Sequence, residues 1–368
     1  MKEKILFIGR FPPPVHGAAN MNEFYFNSKL LNKNFTLERI KINDSSNLEE
    51  IGKFKIKKFF RIFNVFFSLL KKLIFFKPKI IYFEIAPTNL AFLRDSIYVI
   101  LCKIFRKKII FQIHARGIEQ KVKKKLWKDY YKFIFKNNKI ILLSKMLYSE
   151  VKEIIKKEDI HFLPNGIEDK LNKKEFERIL NQRKINNIPS ILFISNMIEE
   201  KGAIDALKIC SILKEKNKKF ICNFVGPWQE KNFRKKWEKT RKELKLEKDC
   251  IYLGSKYNNE KEEIFNKTNF LLFPTKYKNE SFPLVILEAY MHGIPVFSYS
   301  QGAIKEMIPK KFLGYASEKR DWRELSLELI KNLNSQVKSH EIRKFFKENY
   351  TIEKSEIKLN EIFIKEIK

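Results

Sequence analysis

The chain of 368 residues has few of the sequence features of a secreted, zinc-binding or membrane-spanning protein. Its four cysteines stand far apart, with no paired spacing that would predict a zinc site or a disulfide framework. They are Cys102, Cys210, Cys222 and Cys250. No apolar run approaches the ~18 residues that a membrane-spanning helix needs, and the strand-like run after Met1 is too short for the core of a signal peptide. We therefore expect a reduced, cytosolic protein that is soluble or bound to a surface.

Acidic residues are also scarce: 43 Asp and Glu face 75 Lys and Arg, and the formal net charge is +32. The excess is uneven, since residues 51–150 contain 24 basic and 5 acidic side chains. Such a surface favours anionic lipid, nucleic acid or a phosphorylated substrate, and charge alone does not choose among them. No nucleic-acid motif is recognisable, so we rank nucleic-acid binding last and expect no nucleic-acid partner.

The order of apolar runs predicts an α/β fold. The length suits two domains, and short apolar strands alternate with longer amphipathic stretches, which is typical of a doubly wound parallel sheet. This alternation occurs twice, on either side of a polar stretch at residues 169–189, and predicts two Rossmann-like domains, 1–180 and 181–354, facing a central cleft. The predicted strands are residues 5–9, 80–85, 109–114, 140–144 and 160–164, then 191–196, 220–226, 251–254, 270–274 and 295–299.

Two glutamates frame the run ESFPLVILEA, which follows the predicted strand 270–274. Glu280 precedes a predicted helix start, where its carboxylate can accept hydrogen bonds from sugar hydroxyls. Glu288 sits about two turns later in the apolar helix VILEAY, where its charge needs a partner such as ribose hydroxyls. The alternative is a solvated pair of surface glutamates.

Other candidate residues stand where predicted strands end. Lys201 lies between a strand and a helix start, where an ammonium and free N–H groups can hold a pyrophosphate; the alternative is an ordinary solvated lysine. Gly17 belongs to the small-residue loop after the first strand, which could admit a phosphate or sugar or be only a turn. His114 closes a strand and is either a site residue or a structural histidine.

In this order, the loops resemble those of retaining nucleotide-sugar glycosyltransferases of family 4, which have the GT-B fold. The matches are Glu280 and Glu288 in the Glu-seven-residues-Glu pattern, Lys201 and Gly202 in Lys-Gly, Gly17 in the glycine loop, His114 at a strand end, and Asn165 to Ile167 in Asn-Gly-Ile. Two departures stand out. Ser195 and Asn196 replace the family's Gly-Arg before Lys-Gly, and only one glycine of the N-terminal pair remains.

The resemblance implies a role for each matched residue. Lys201 and a helix N-terminus would stabilise the leaving nucleoside diphosphate, Glu288 would hold the ribose and Glu280 would orient the sugar, while His114 would contact that sugar from the other domain. The remaining donor-binding residues would be Gly17, Asn196, Ser281, Phe282, Pro283 and Leu284. No two aspartates are separated by a single residue, so the metal clamp of other sugar transferases is absent and we expect neither a metal nor a cofactor.

Two basic stripes bear on the acceptor. Lys57, Arg61, Asn64, Ser68 and Lys71 recur at helical spacing, and so do Lys121, Lys125, Lys128, Lys132 and Lys136 beside Trp127. Basic amphipathic helices with aromatic residues are typical of proteins that rest on anionic lipid. We expect Arg61, Lys125, Trp127 and Lys128 to contact the acceptor or the membrane. The alternative is that both helices cover the first sheet and expose their lysines to water.

The resemblance thus implies a metal-independent glycosyltransferase that moves a hexose or N-acetylhexosamine to a saccharide, expected to be lipid-linked, in cell-envelope polysaccharide synthesis. It would act with retention of anomeric configuration, on the inner face of the cytoplasmic membrane. A C-terminal helix, 355–367, is expected to return to the first domain. The alternative function is that of a catalytically silent peripheral membrane protein that keeps the fold.

Overall fold

The computed structural model describes residues 2–13, 17–42, 55–333 and 335–367. The chain divides into two compact units: unit 1 comprises Met1–Gly166 with Ile352–Lys368, and unit 2 comprises Ile167–Thr351. Residues 14–16, which belong to the predicted loop before Gly17, lie outside the described residues, as does the side chain of Lys57 in the first basic stripe.

Unit 1 is built on a parallel six-stranded sheet in the order β2-β1-β3-β4-β5-β6. Its strands are β1 (Glu3–Gly9), β2 (Phe35–Lys41), β3 (Ile80–Glu84), β4 (Lys108–Ile113), β5 (Lys139–Leu142) and β6 (Ile160–Phe162). Its first six helices are α1 (Gly17–Asn27), α2 (Lys29–Asn34), α3 (Lys55–Lys71), α4 (Asn89–Ile104), α5 (Ile118–Lys121) and α6 (Lys125–Phe135), with a π-helical turn at Lys72–Phe76.

Unit 2 repeats the architecture in the strand order β12-β11-β10-β7-β8-β9. Its helices are α7 (Lys173–Ile185), α8 (Ala203–Glu215), α9 (Lys231–Glu243), α10 (Asn258–Lys267), α11 (Leu284–Met291), α12 (Ile304–Met307), α13 (Trp322–Leu333) and α14 (Ser339–Asn349). Its strands are β7 (Ser190–Ile194), β8 (Ile221–Val225), β9 (Cys250–Tyr252), β10 (Phe270–Phe273), β11 (Val296–Tyr299) and β12 (Gly314–Ser317).

The last helix, α15 (Ile352–Ile367), packs on the sheet of unit 1. The Phe363 ring lies 6.0 Å from Phe7 and 5.8 Å from Phe35. At its other end, the Ser355 hydroxyl donates to the Pro164 carbonyl at 3.0 Å and lies 2.6 Å from the Tyr25 hydroxyl. The end of the chain therefore completes the hydrophobic core of its beginning.

The boundary between the units lies near residue 166, earlier than the predicted 180. The reason is α7, whose buried Arg183 donates hydrogen bonds to the carbonyls of Phe265, Asn266 and His292 in unit 2. An Asn172–Glu175 capping box begins this helix. The polar stretch taken as a linker therefore contains a helix that is anchored to unit 2.

The prediction of a doubly wound α/β fold is confirmed, and each of the ten predicted strands overlaps an observed one. Strands that are buried on both faces are continuous apolar runs and are therefore visible in sequence. The sequence does not predict β2 and β12 because they are edge strands: only Phe35 and Ile40 of β2 are buried, and β12 is the short run GYAS.

Candidate functional site

The strand order fixes where a ligand site can form in unit 2. From β7 the chain proceeds through β8 to β9 on one side, then returns to place β10 on the other side of β7. Ligands of open α/β sheets bind at the carboxyl ends of the strands where this direction reverses. The loops that follow β7 and β10 meet at that point, and they carry Lys201 and Glu280.

Lys201 and Glu280 are in direct contact: Lys201 Nζ lies 2.6 Å from Glu280 Oε2. Their side chains are only 15% and 10% exposed. The Tyr277 ring lies 4.5 Å from the ammonium, and the Thr275 hydroxyl donates to the same carboxylate oxygen at 3.4 Å. The ammonium and the carboxylate are therefore held in fixed positions at the edge of the sheet.

Glycines let the loops of this site approach one another. Gly202 has φ +87°, and an added Cβ would lie well inside 3.0 Å of the Pro274 carbonyl. Gly302 has φ +56°, and a Cβ added there would lie 2.2 Å from the carbonyl oxygen of Glu280. Gly202 also precedes the first residue of α8, so Lys201 stands beside the free N–H groups of a 13-residue helix.

A second lysine lies in the same region and was missed by sequence reasoning. Lys276 Nζ lies 2.5 Å from Asp205 Oδ2, and the Tyr299 hydroxyl donates to that oxygen at 2.8 Å. Burial and the neighbouring carboxylate raise the pKa of Tyr299. The Lys276 amide also donates to the Glu200 carbonyl at 2.7 Å, which ties together the two loops that carry Lys201 and Glu280. The only signal in the sequence was its place in the loop PTKYKNE.

Glu288 lies on α11, and its carboxylate pairs with the Lys261 ammonium at 2.6 Å. It is therefore partly neutralised by a neighbouring helix, a partner that the sequence did not predict. Its exposed fraction of 26% leaves it accessible.

The other predicted donor residues surround the start of α11. The Ser281 carbonyl accepts from the Ala303 amide at 2.8 Å, and the Phe282 ring lies 6.0 Å from that of Tyr350. Pro283 caps the helix, Leu284 begins it, and Asn196 is exposed after β7. Ser281 and Phe282 are both buried.

Unit 1 places its candidates at strand ends as well. Gly17 is the first residue of α1, and His114 follows β4 directly and is half-buried. The loop after His114 is fixed by buried Glu150, which accepts from Arg116 Nε and the Gly117 amide, each at 2.8 Å.

A buried carboxylate, Glu84, organises the loop after β1. It pairs with the Arg10 guanidinium, accepts from the Arg10 amide at 2.8 Å and accepts from Asn22 Nδ2 at 2.5 Å. β1 and β3 form the reversal point of this sheet, so the cluster lies where a ligand of unit 1 would be expected.

The basic helices expose more apolar surface than their sequence stripes predicted. On α3, Asn64 and Lys71 are exposed, but so are Phe60, Phe63 and Phe67, at 62%, 43% and 59%. Arg61 is half-buried. The π-helical turn that follows adds Phe75 at 73%.

On α6, the predicted contact residues divide between the core and the surface. Trp127 packs against the hydrophobic core, Lys125 is exposed, and Lys128 pairs with Glu153 at 2.7 Å. Leu126 is 82% exposed. Within the described residues, no helix combines the length and the apolarity needed to cross a membrane.

Comparison with known proteins gives the family of unit 2. Residues 175–350 match the family described as glycosyl transferases group 1. Unit 2 carries a glycosyl transferases group 1 domain. The matched span includes Lys201, Glu280 and Glu288, whereas the candidates Gly17 and His114 lie outside it, in unit 1.

One curated relative aligns with part of the chain. It is the uncharacterized 41.2 kDa protein in the cps region of Klebsiella pneumoniae, 28% identical over 145 residues. The match covers 39% of this chain and 35% of that protein, so this chain spans about a third of the relative's length.

Solved structures resemble the whole chain. A glycosyltransferase from Rickettsia africae ESF-5 superposes with a TM-score of 0.76 at 17% identity, over 100% of this chain and 99% of that one. Anabaena Alr3699/HepE, solved with UDP and glucose, gives 0.69 at 13%, over 98% and 99%. At these identities the likeness shows the fold alone: the chain has the GT-B fold, as the sequence predicted.

Proposed function

We propose that this protein is a glycosyltransferase that moves a hexose or N-acetylhexosamine from a nucleotide-sugar to a saccharide acceptor, with retention of anomeric configuration. The observation that carries the proposal is the contact between Lys201 and Glu280 at the reversal point of a group 1 domain. A cation beside a helix N-terminus suits the diphosphate of a donor, and a carboxylate within 2.6 Å of it suits the adjoining sugar.

In this proposal, donor binding breaks the ion pair between Lys201 and Glu280. The leaving diphosphate accepts hydrogen bonds from the Lys201 ammonium and the free N–H groups of α8, which stabilise the negative charge that develops as the glycosidic bond breaks. Glu280, released from Lys201, accepts hydrogen bonds from the sugar hydroxyls. Each side chain keeps the other in place until the donor arrives, and contacts with the donor then replace their contact with each other.

The other donor contacts follow from the same arrangement. Glu288 accepts from the ribose hydroxyls, with Lys261 fixing its rotamer at 2.6 Å. Asn196, at the position of the family's arginine, donates one hydrogen bond to the donor phosphate in place of two. Lys276, 2.5 Å from Asp205, adds positive charge to the loop, and we propose that no metal ion takes part.

For the acceptor, we propose a saccharide carried on a lipid, met at the cytoplasmic face of the membrane. Support comes from the exposed Phe60, Phe63 and Phe67 of α3 beside a strongly basic half of the chain, since aromatic and cationic side chains together favour anionic bilayers. The Klebsiella relative in a cps region supports a role in cell-envelope polysaccharide synthesis.

The proposal is tested first with donors. Thermal unfolding is followed with UDP, ADP, GDP and their sugars, because a ligand that binds only the folded state raises the melting temperature. UDP comes first because Alr3699/HepE was solved with it. Sugar transfer, or slow hydrolysis of the responding donor, is then assayed in the wild type and in Lys201→Ala and Glu280→Ala.

We expect both variants to lose activity by at least a hundredfold while staying folded. Lys331→Ala is the matched control, since that lysine also pairs with a glutamate, Glu328, but is 69% exposed on α13. Full activity in both site variants would contradict the proposed mechanism.

The alternative function is a catalytically silent peripheral membrane protein, and the specific observation in its favour is Asn196 in place of the family's arginine. It predicts vesicle binding by the wild type together with a flat response to every nucleotide and nucleotide-sugar.

A further inference from the structure

Three of the four cysteines meet inside unit 2. Cys210 lies on α8, Cys222 on β8 and Cys250 at the start of β9, and their sulfur atoms all lie within 4.8 Å of one another. Cys222 and Cys250 are register partners across neighbouring parallel strands. The sequence could not show this cluster, because its members lie 12 and 28 positions apart.

The cluster is closed off from water. All three side chains have 0% exposure and belong to the same hydrophobic core as Phe193 and Trp237. The group contains three sulfurs and no histidine or carboxylate. An apolar site of this kind penalises any ligand that leaves a net charge behind.

The charge requirement selects among thiol-seeking ions. Zinc with three thiolates would bear a charge of −1 and lack the fourth ligand of its structural sites. Cu(I) suits thiolates, but three of them would leave a charge of −2. Trivalent arsenic takes three sulfur ligands and gives a neutral product.

We propose that Cys210, Cys222 and Cys250 form a trithiol site for trivalent arsenic. In the reaction with arsenous acid, three As–S bonds form and three As–O bonds break. Each thiol proton leaves with a hydroxide as water, three waters in all, and no atom changes oxidation state. The product links α8 to β8 and β9, so it stabilises the folded unit.

Cys102 provides an internal comparison. It is equally buried, at 0% exposure, but lies alone in unit 1, and burial raises the pKa of its thiol to about 12. A single buried thiol cannot form the three bonds that trivalent arsenic needs, so Cys102 is not expected to contribute.

The experiment adds arsenite to the reduced full-length protein and measures intact mass and thermal unfolding. We expect one arsenic to bind per chain. The intact mass should rise by the mass of one arsenic atom minus three hydrogens, and the melting temperature should rise. Binding is expected to be slow, because the site opens only through local unfolding. Zinc chloride is not expected to raise the melting temperature.

Two variants separate the site from general thiol chemistry. Cys102→Ala should bind as the wild type does, and Cys250→Ser should lose the three-proton adduct. If Cys250→Ser fails to fold, the proton count in Cys102→Ala still decides, because only the three clustered thiols remain there. An adduct that loses two protons, a melting temperature that falls with arsenite, or equal stabilisation by zinc would overturn the proposal.

Discussion

Lys201 and Glu280 form an ion pair of 2.6 Å although 79 positions separate them in the chain. The contact exists because β7 and β10 are neighbours in the sheet and the loops that follow both strands end at the same edge. The strand order therefore explains how two residues from distant parts of the sequence form one site.

Removing one member of this pair should destabilise unit 2 more than removing both. Glu280→Gln leaves the Lys201 ammonium largely buried without a counter-charge, which costs about 3 kcal/mol. The double variant Lys201→Met, Glu280→Gln should recover most of that loss, because both charges are gone. Urea unfolding of the single and double variants measures the coupling. Strictly additive losses would show that the two side chains act independently.

Gly302 lies so close to the backbone of Glu280 and Ser281 that no side chain fits there, and a substitution at this position tests whether the site depends on that close approach. Gly302→Ala should displace the Glu280–Ser281 segment, whose carbonyl oxygens lie where the new Cβ must go. The matched control is Gly254→Ala, at φ +78° with nothing within 4 Å of the new Cβ. In the control, the free energy of unfolding should fall only by the cost of a left-handed backbone with a Cβ, about 1–2 kcal/mol. In Gly302→Ala it should fall by more, and donor binding should weaken. Equal unfolding free energies for the two variants would contradict the steric argument.

Glu288 should affect donor binding more than turnover. If its carboxylate holds the ribose in the ground state and the transition state alike, Glu288→Gln raises KM for the donor about tenfold and leaves kcat nearly unchanged. Glu263→Gln on α10, an exposed position, is the control. Steady-state kinetics with the donor found in the thermal screen gives both constants, and a fall in kcat alone would assign Glu288 to the chemical step instead.

Asp95 should make unit 1 less stable as the pH rises. Burial raises the pKa of Asp95 from 3.8 to about 6, against the opposing effects of Arg94 and of the Ala86 amide, which donates to its carboxylate at 2.9 Å. A raised pKa means that the folded state binds the proton more tightly, so the stabilisation is complete below pH 3.8 and is lost as the pH rises through about 6. The loss is about 3 kcal/mol.

The measurement is urea unfolding at several pH values between 4 and 7. Asp95→Asn keeps an acceptor for the Ala86 amide but has no proton to release, so the difference in unfolding free energy between variant and wild type should change across this range. A constant difference would mean that Asp95 has an ordinary pKa in the folded protein.

The fold could be predicted because both sheets are parallel and mostly buried. A strand such as Ile80–Glu84 is buried at every position and consists almost entirely of apolar residues. Such a run can be recognised in the sequence without knowledge of the strands that pair with it. The edge strand Phe35–Lys41 was not recognisable because its charged positions face water and its pairing with β1 is set by the fold.

The site was predicted only in part, for a related reason. Lys201 and Glu280 could be placed at strand ends from the sequence, but the Lys261 partner of Glu288 lies on another helix and depends on how α10 and α11 pack. The cysteine cluster likewise depends on the register of β8 against β9. Contacts set by packing between elements have no periodicity in the sequence, so pattern analysis does not detect them.

Membrane association should depend on the exposed phenylalanines of α3 as well as on charge. Phe60 and Phe67 are 62% and 59% exposed, and moving a phenylalanine from water into an apolar environment contributes about 1.5–3 kcal/mol. Phe60→Ser with Phe67→Ser should therefore weaken binding to anionic vesicles at least tenfold.

Co-sedimentation with vesicles, with and without anionic lipid, measures this binding. The control variant is Ile185→Ser, since Ile185 is 79% exposed at the end of α7 in unit 2 but lies far from the basic half in sequence. Added salt should weaken binding of the wild type by screening the lysines, while the apolar contribution of the phenylalanines persists. If the α3 variant binds as tightly as Ile185→Ser, these rings do not enter the bilayer, and the lysines alone must account for any attraction to lipid.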